Sequence, residues 1–139
     1  MKVFVDTGGF AALYYDNDQR HEPAKKVWGE FGEQNARLFT SNYVVAETIN
    51  LLRVRAGYQA CLRFGGDIFS SKAVKILRIS ESHEMKAWEI FKKYADQDFS
   101  FTDCASFALM QDLRLSAAFA FDQHFRIIGF ETLPSREPG

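Results

Sequence analysis

Val3-Phe4-Val5-Asp6-Thr7-Gly8-Gly9-Phe10 is the stretch on which the reading of this chain turns. Three consecutive apolar residues, two of them β-branched, suit a strand buried on both faces, as in a parallel sheet. A carboxylate at the end of such a strand is poorly placed for solvation, because Asp is seldom buried unless it is paired or bound to a cation. Thr7-Gly8-Gly9 predicts a turn, followed by a helix from Phe10 to Tyr15, and Asp16-Asn17-Asp18 reads as a loop.

Further along, the same alternation returns. Leu38–Thr40, Val74–Ile79 and Ala117–Phe121 read as strands. Between them, Pro23 suits the first turn of a helix that runs through Val27, Trp28 and Phe31. Ser41 or Asn42 caps a helix from Tyr43 to Arg55, Gly57 ends it, and another spans Gln59 to Phe69. Ser80 or Ser82 caps an amphipathic helix whose buried stripe is Met85, Trp88, Phe91 and Ala95. Thr102 opens a helix through Leu113. Ile127-Ile128 and Glu131–Leu133 read as short edge pieces. Strands alternating with helices predict an α/β sandwich around a mainly parallel central sheet, with right-handed crossovers placing helices on both faces. Residues 1–139 read as one domain, with a loose tail from Ser135 to Gly139.

The composition fits. The chain is 47% hydrophobic and 25% charged, with fourteen Phe against three Pro and nine Gly, which predicts a packed interior and excludes a disordered chain. No apolar run approaches the length of a membrane span, and the opening run is too short for a signal peptide. Cys61 and Cys104 read as free thiols of a cytoplasmic protein. A net charge of −1 is unlike that of a strongly basic nucleic-acid binder. Yet Arg53, Arg55, Arg63, Lys72, Lys75 and Arg78 face only Asp67 across that segment. This basic middle is either a guide for a phosphate backbone or a solvated helical face.

Three more acids share Asp6's unusual background: Glu47 within an apolar helix, Asp103 within Phe99–Ala105, and Asp122 after Ala117–Phe121. Each has a plain structural explanation. Asp6 would serve as an N-cap, Glu47 as a solvent-facing residue, Asp103 as a first-turn acid favoured by the helix dipole, and Asp122 as a turn former. Taken together they predict one acidic pocket, since ligand sites in parallel α/β sheets lie beyond the carboxyl ends of the strands. Two carboxylates about 4 Å apart repel by roughly 4 kcal/mol at an effective dielectric near 20. A cluster therefore calls for a cation, and an all-oxygen donor set suits Mg²⁺ or Mn²⁺ rather than zinc. Carboxylate-held Mg²⁺ is the usual apparatus of phosphoryl chemistry.

In order along the chain, Val3-Phe-Val-Asp6-Thr-Gly-Gly-Phe10, Val44-Val-Ala-Glu47-Thr48, Phe99-Ser-Phe-Thr-Asp103-Cys-Ala-Ser106 and Phe119-Ala-Phe-Asp122-Gln-His-Phe125 resemble the motifs of PIN-domain ribonucleases, in particular the VapC-like toxins of toxin–antitoxin pairs. The resemblance implies a three-layer α/β/α fold and RNA cleavage dependent on Mg²⁺ or Mn²⁺. It implies that Asp6, Glu47, Asp103 and Asp122 are the catalytic and metal-holding acids, with Thr7 and Thr102 as supporting hydroxyls. It also implies a cognate antitoxin and a homodimer, for which the helices Tyr43–Arg55 and Gln59–Phe69 offer apolar surface. Other signals point less far. Asp98 suits an exposed loop, and Trp88 with Phe91 core packing. His124, two residues after Asp122, could touch a phosphate but better suits a surface position. The opening motif is also similar to that of haloacid-dehalogenase-like phosphatases, but Gly8 stands where those carry a second Asp. A non-catalytic interaction module on the same fold is the remaining alternative.

Overall fold

In the computed structural model, which describes residues 1–135, the chain alternates strands with helices. The strands β1 (Lys2–Val5), β2 (Arg37–Ser41), β3 (Val74–Leu77), β4 (Ala117–Phe119) and β5 (Glu131–Leu133) form one sheet in the order β3-β2-β1-β4-β5. Every neighbouring pair is parallel. The helices are α1 (Thr7–Tyr14), α2 (His21–Glu33), α3 (Asn42–Arg55), α4 (Tyr58–Ser70), α5 (Glu81–Lys93), α6 (Phe101–Leu113) and the short α7 (His124–Ile127). They flank the sheet on both sides, giving the three-layer α/β/α arrangement. Residues 136–139 of the expected loose tail lie outside the described residues.

The apolar opening run forms the middle of the sheet. Val3, Phe4 and Val5 are fully buried, and β1 pairs with β2 on one side and β4 on the other. The chain leaves β1 toward β2 and returns past it to β4, so the strand order reverses between β1 and β4. A crevice opens at such a switch point, beyond the carboxyl ends of the strands. Asp6 follows β1 there, and Asp122 lies three residues beyond the end of β4.

Several local expectations are corrected. Thr7-Gly8-Gly9 makes no turn and is instead the first turn of α1. Gly9 is required by packing: a Cβ there would lie 2.7 Å from the Phe119 carbonyl oxygen and 2.8 Å from its ring, so only glycine lets α1 sit this close to β4. Ser100 rather than Thr102 starts α6, through a capping box with Asp103. Ile127 belongs to α7 rather than to a strand.

The largest correction concerns α5. Met85, Trp88 and Phe91 are 59%, 47% and 39% exposed, and the buried residues are Ala87 and Ile90. Two polar contacts accompany this roll of the helix. His83 Nε2 lies 2.9 Å from Asp112 Oδ2 of α6, and Glu84 accepts a hydrogen bond from Tyr43 of α3. Both contacts lie on the helical face that carries the buried Ala87. Trp88 and Phe91 stack on each other outside, with ring centroids 5.8 Å apart and planes 13° apart.

Candidate active site

Asp6 occupies the backbone position of an N-cap, but its side chain caps nothing. Its N–H donates to the Phe119 carbonyl (3.1 Å) and its own carbonyl accepts from Phe10 N–H (3.1 Å), which locks the residue between β4 and α1. The side chain is 3% exposed, and neither Oδ1 nor the neighbouring buried Thr7 hydroxyl has a hydrogen-bond partner among the described residues. Buried polar atoms left this way cost about 1–3 kcal/mol each. Burial first, then the charges of Asp103 and Asp122, hold the Asp6 carboxyl well above the ordinary carboxylate range.

Asp103 reaches the same place from α6. Its Oδ2 accepts from Ser100 N–H (3.0 Å), while its own N–H donates to Ser100 Oγ (3.0 Å). The first-turn role read from sequence is therefore real, and it leaves the carboxylate free for a second duty. His124 Nδ1 lies 2.9 Å from the same Oδ2. An ionised carboxylate only accepts, so Nδ1 carries the proton in that contact. With Oδ2 held twice, Oδ1 has no protein partner among the described residues. Burial pushes the Asp103 carboxyl up, opposed by the Ser100 N–H and reinforced by Asp122, with His124 pulling it back.

Asp122 is more open, and its Oδ1 accepts from His124 N–H (2.9 Å), the turn geometry expected of it. Glu47 is half-buried on α3. All four acids line one cleft of about 310 Å³ together with Thr7, and the fold thus brings them together. Thr102 does not line it. Asp18 and Asp98 do, although sequence assigned both to loops, and so do Arg20, Arg55 and His124. His124 is thereby corrected from a surface residue to a site residue. The signal that would have found it is its position two residues after Asp122. The basic middle of the chain is divided. Arg55 enters this cleft, whereas Lys72 and Lys75 line a separate groove near the starts of β2 and β3. Cys104, next to Asp103, is fully buried and its thiol is pushed up to about 11 by burial and by Asp103, which removes it as a nucleophile at neutral pH.

The donor chemistry fits a hard divalent cation: carboxylate oxygens only, with an orphaned Oδ1 on the most buried of them. Among the described residues no three His, Cys, Asp or Glu side chains already converge tightly enough to hold a metal ion. The acids share a cleft and a field, as the charge effects on Asp6 show, without forming a closed cage.

The comparisons with known proteins agree with this fold. Residues 3–131 match the model of the PIN domain family. The 23S rRNA-specific endonuclease VapC20 of Mycobacterium tuberculosis is 35% identical over 128 residues, covering 92% of this chain and 95% of the relative. A VapC ribonuclease of Archaeoglobus fulgidus is 28% identical over 133 residues, covering 91% of this chain and 81% of that protein. The crystal structure of Mycobacterium tuberculosis VapC20, described as a sarcin-ricin loop cleaving toxin, superposes with a TM-score of 0.86 at 34% identity, covering 92% of this chain and 95% of the other. With the fold, the acidic switch-point cleft and these likenesses in hand, the chain belongs to the PIN domain family and to its VapC-like branch.

Proposed function

We propose that this protein is a metal-dependent endoribonuclease and the toxin of a toxin–antitoxin pair. The observation that carries the reading is the buried carboxylate of Asp6, with its Oδ1 left without a partner, set among Asp103, Asp122 and Glu47 at the sheet's switch point. A buried acid whose charge is opposed by burial and by its neighbours is costly to keep unless it has work to do.

Asp6, Asp103 and Asp122 are the residues that would hold Mg²⁺ or Mn²⁺, with Glu47 assisting. When bound, such a cation activates water and offsets charge on the phosphate and on the leaving oxygen. The chain's own part is to prepare the ligands. Ser100 N–H and His124 fix one oxygen of Asp103 and leave the other available. Packing of α1 on β4 holds Asp6 rigidly. Glu47, half-buried on α3, orients the attacking water and accepts its proton.

For partners, we assign the antitoxin to the α3–α4 hairpin, where Val54, Tyr58, Leu62 and Phe69 are exposed. We assign a second copy of the chain to the aromatic face of α5. Among the described residues no helix is long and apolar enough to cross a membrane, and we place the protein in the cytoplasm with its RNA. The VapC20 relative is named for 23S rRNA, so ribosomal RNA is the first substrate to test. Sequencing of RNA ends after induced expression should show new, discrete 5′ ends in one RNA class. An RNA population without new ends would contradict the reading.

A further inference from the structure

Six carboxylates line the acidic cleft, namely Asp6, Asp18, Glu47, Asp98, Asp103 and Asp122. Two arginines, Arg20 and Arg55, line it as well. Neither forms an ion pair or a side-chain hydrogen bond among the described residues, while His124 Nδ1 lies 2.9 Å from Asp103 Oδ2 and 3.7 Å from Asp122 Oδ1. Arginines that stay unpaired beside so many acids are available to an anion from outside. Resting on the ribonuclease reading above, we propose that Arg20 and Arg55 are the phosphate-binding residues of this site, gripping the RNA backbone on either side of the acid cluster.

The two side chains come from different directions. Arg20 is the residue before α2; its N–H donates to Asp18 Oδ1 at 2.7 Å, and its guanidinium lies over the Phe121 ring, 5.6 Å from the centroid. Phe121 directly precedes Asp122, so this contact places the Arg20 charge on the β4 side of the cleft. Arg55 is the last residue of α3. Glu47, Leu51 and Arg55 recur every four residues and all line the cleft, so they form one helical stripe. Two turns separate Arg55 from Glu47, about 12 Å along the helix axis. That spacing is too long for a Glu47–Arg55 contact along the helix, and it sets Arg55 beside a phosphate neighbouring the one at the acids. Leu51, between them, offers apolar surface to a ribose or base.

Electrostatics gives the arrangement its purpose. An acid-lined cleft repels a polyanion. A cation held by the central acids offsets this only at the scissile phosphate, and the flanking phosphates need charges of their own. Arginine's planar fork matches a phosphate in bidentate fashion.

The test is binding of a short fluorescein-labelled single-stranded RNA, with Ca²⁺ in place of Mg²⁺ to offset the acids without supporting cleavage, followed by anisotropy between about 50 and 200 mM KCl. It compares wild type, Arg20→Ala, Arg55→Ala and, as a control at the distant groove, Lys72→Ala. Each arginine variant should raise Kd about tenfold at low salt and lower the slope of log affinity against log salt by about 0.7. Its melting temperature should match wild type, and Lys72→Ala should leave both readouts unchanged. If an alanine variant melts early, Arg20→Gln and Arg55→Gln are read in its place. Wild-type slopes in the arginine variants, with wild type binding RNA, overturn the assignment and leave the ribonuclease reading standing. A wild-type protein that binds no RNA even at low salt overturns the ribonuclease reading, and the assignment with it.

Discussion

Asp6 carries two conflicting demands. Its carboxyl is buried, and its proton is held more tightly in the folded protein than in the unfolded chain, where the value lies near 4. The folded state therefore binds the extra proton in the window above that ordinary value. Without a divalent cation, stability falls as pH rises through that window toward the raised value. Asp6→Asn removes the charge and keeps the shape. In EDTA at neutral pH it should melt roughly 2–8 °C above wild type, the equivalent of about 1 kcal/mol, and the difference should shrink as the pH is lowered. A thermal melt series across pH checks this. His124 acts through Asp103. His124→Ala should weaken Mn²⁺ binding by about 10–100-fold, measured by calorimetry, with His124→Asn recovering part of the loss through its remaining hydrogen-bond donor. At this scale the acids were legible because a charge on an apolar background is conspicuous. Arg20 and Asp18 were not, because polar residues in loop contexts look alike until the fold brings them into one cleft, and His124 offered only its nearness to Asp122 in sequence.

Helix α5 shows what periodicity alone leaves open. Met85, Trp88 and Phe91 are the bulkiest apolar residues on the helix, and their spacing predicts a buried stripe. Ala87 and Ile90 are the ones buried. On that face His83 meets Asp112 and Glu84 meets Tyr43, contacts between residues far apart in sequence that no local window contains. Ile90→Ala should therefore cost about 2–5 kcal/mol in a denaturant titration. With a second copy on this face, as proposed above, the wild type should sediment as a dimer, and Trp88→Ser should leave the far-UV circular dichroism unchanged and sediment as a monomer; a wild type that sediments as a monomer would contradict that assignment. The same lesson applies to Gly9. Its place in a Gly-Gly pair reads as a turn, and only the closeness of the Phe119 carbonyl reveals that it is a packing residue inside α1.

The whole molecule follows from strand order. Parallel pairing with the reversal between β1 and β4 brings Asp6 and Asp122 to one crevice, and α3 and α6 add Glu47 and Asp103. The alternation of apolar strands with helices made the architecture readable from sequence, because doubly covered strands are apolar throughout and stand out from amphipathic helices. The division of the basic segment between two grooves was not readable, since it depends on where α3 ends and β3 begins in space. Strand order thus serves one end, an acidic cleft proposed to cut RNA with the help of a divalent cation. The direct measurement is cleavage of ribosomal RNA by the purified protein, with Mg²⁺ or Mn²⁺ and with EDTA, for wild type and Asp6→Asn side by side. Wild type should cut at discrete sites only when the cation is present, and Asp6→Asn should be slower by more than about a hundredfold, beyond the loss typical of a residue that only supports the ligands. Undiminished cutting in EDTA or by a folded Asp6→Asn would contradict the account.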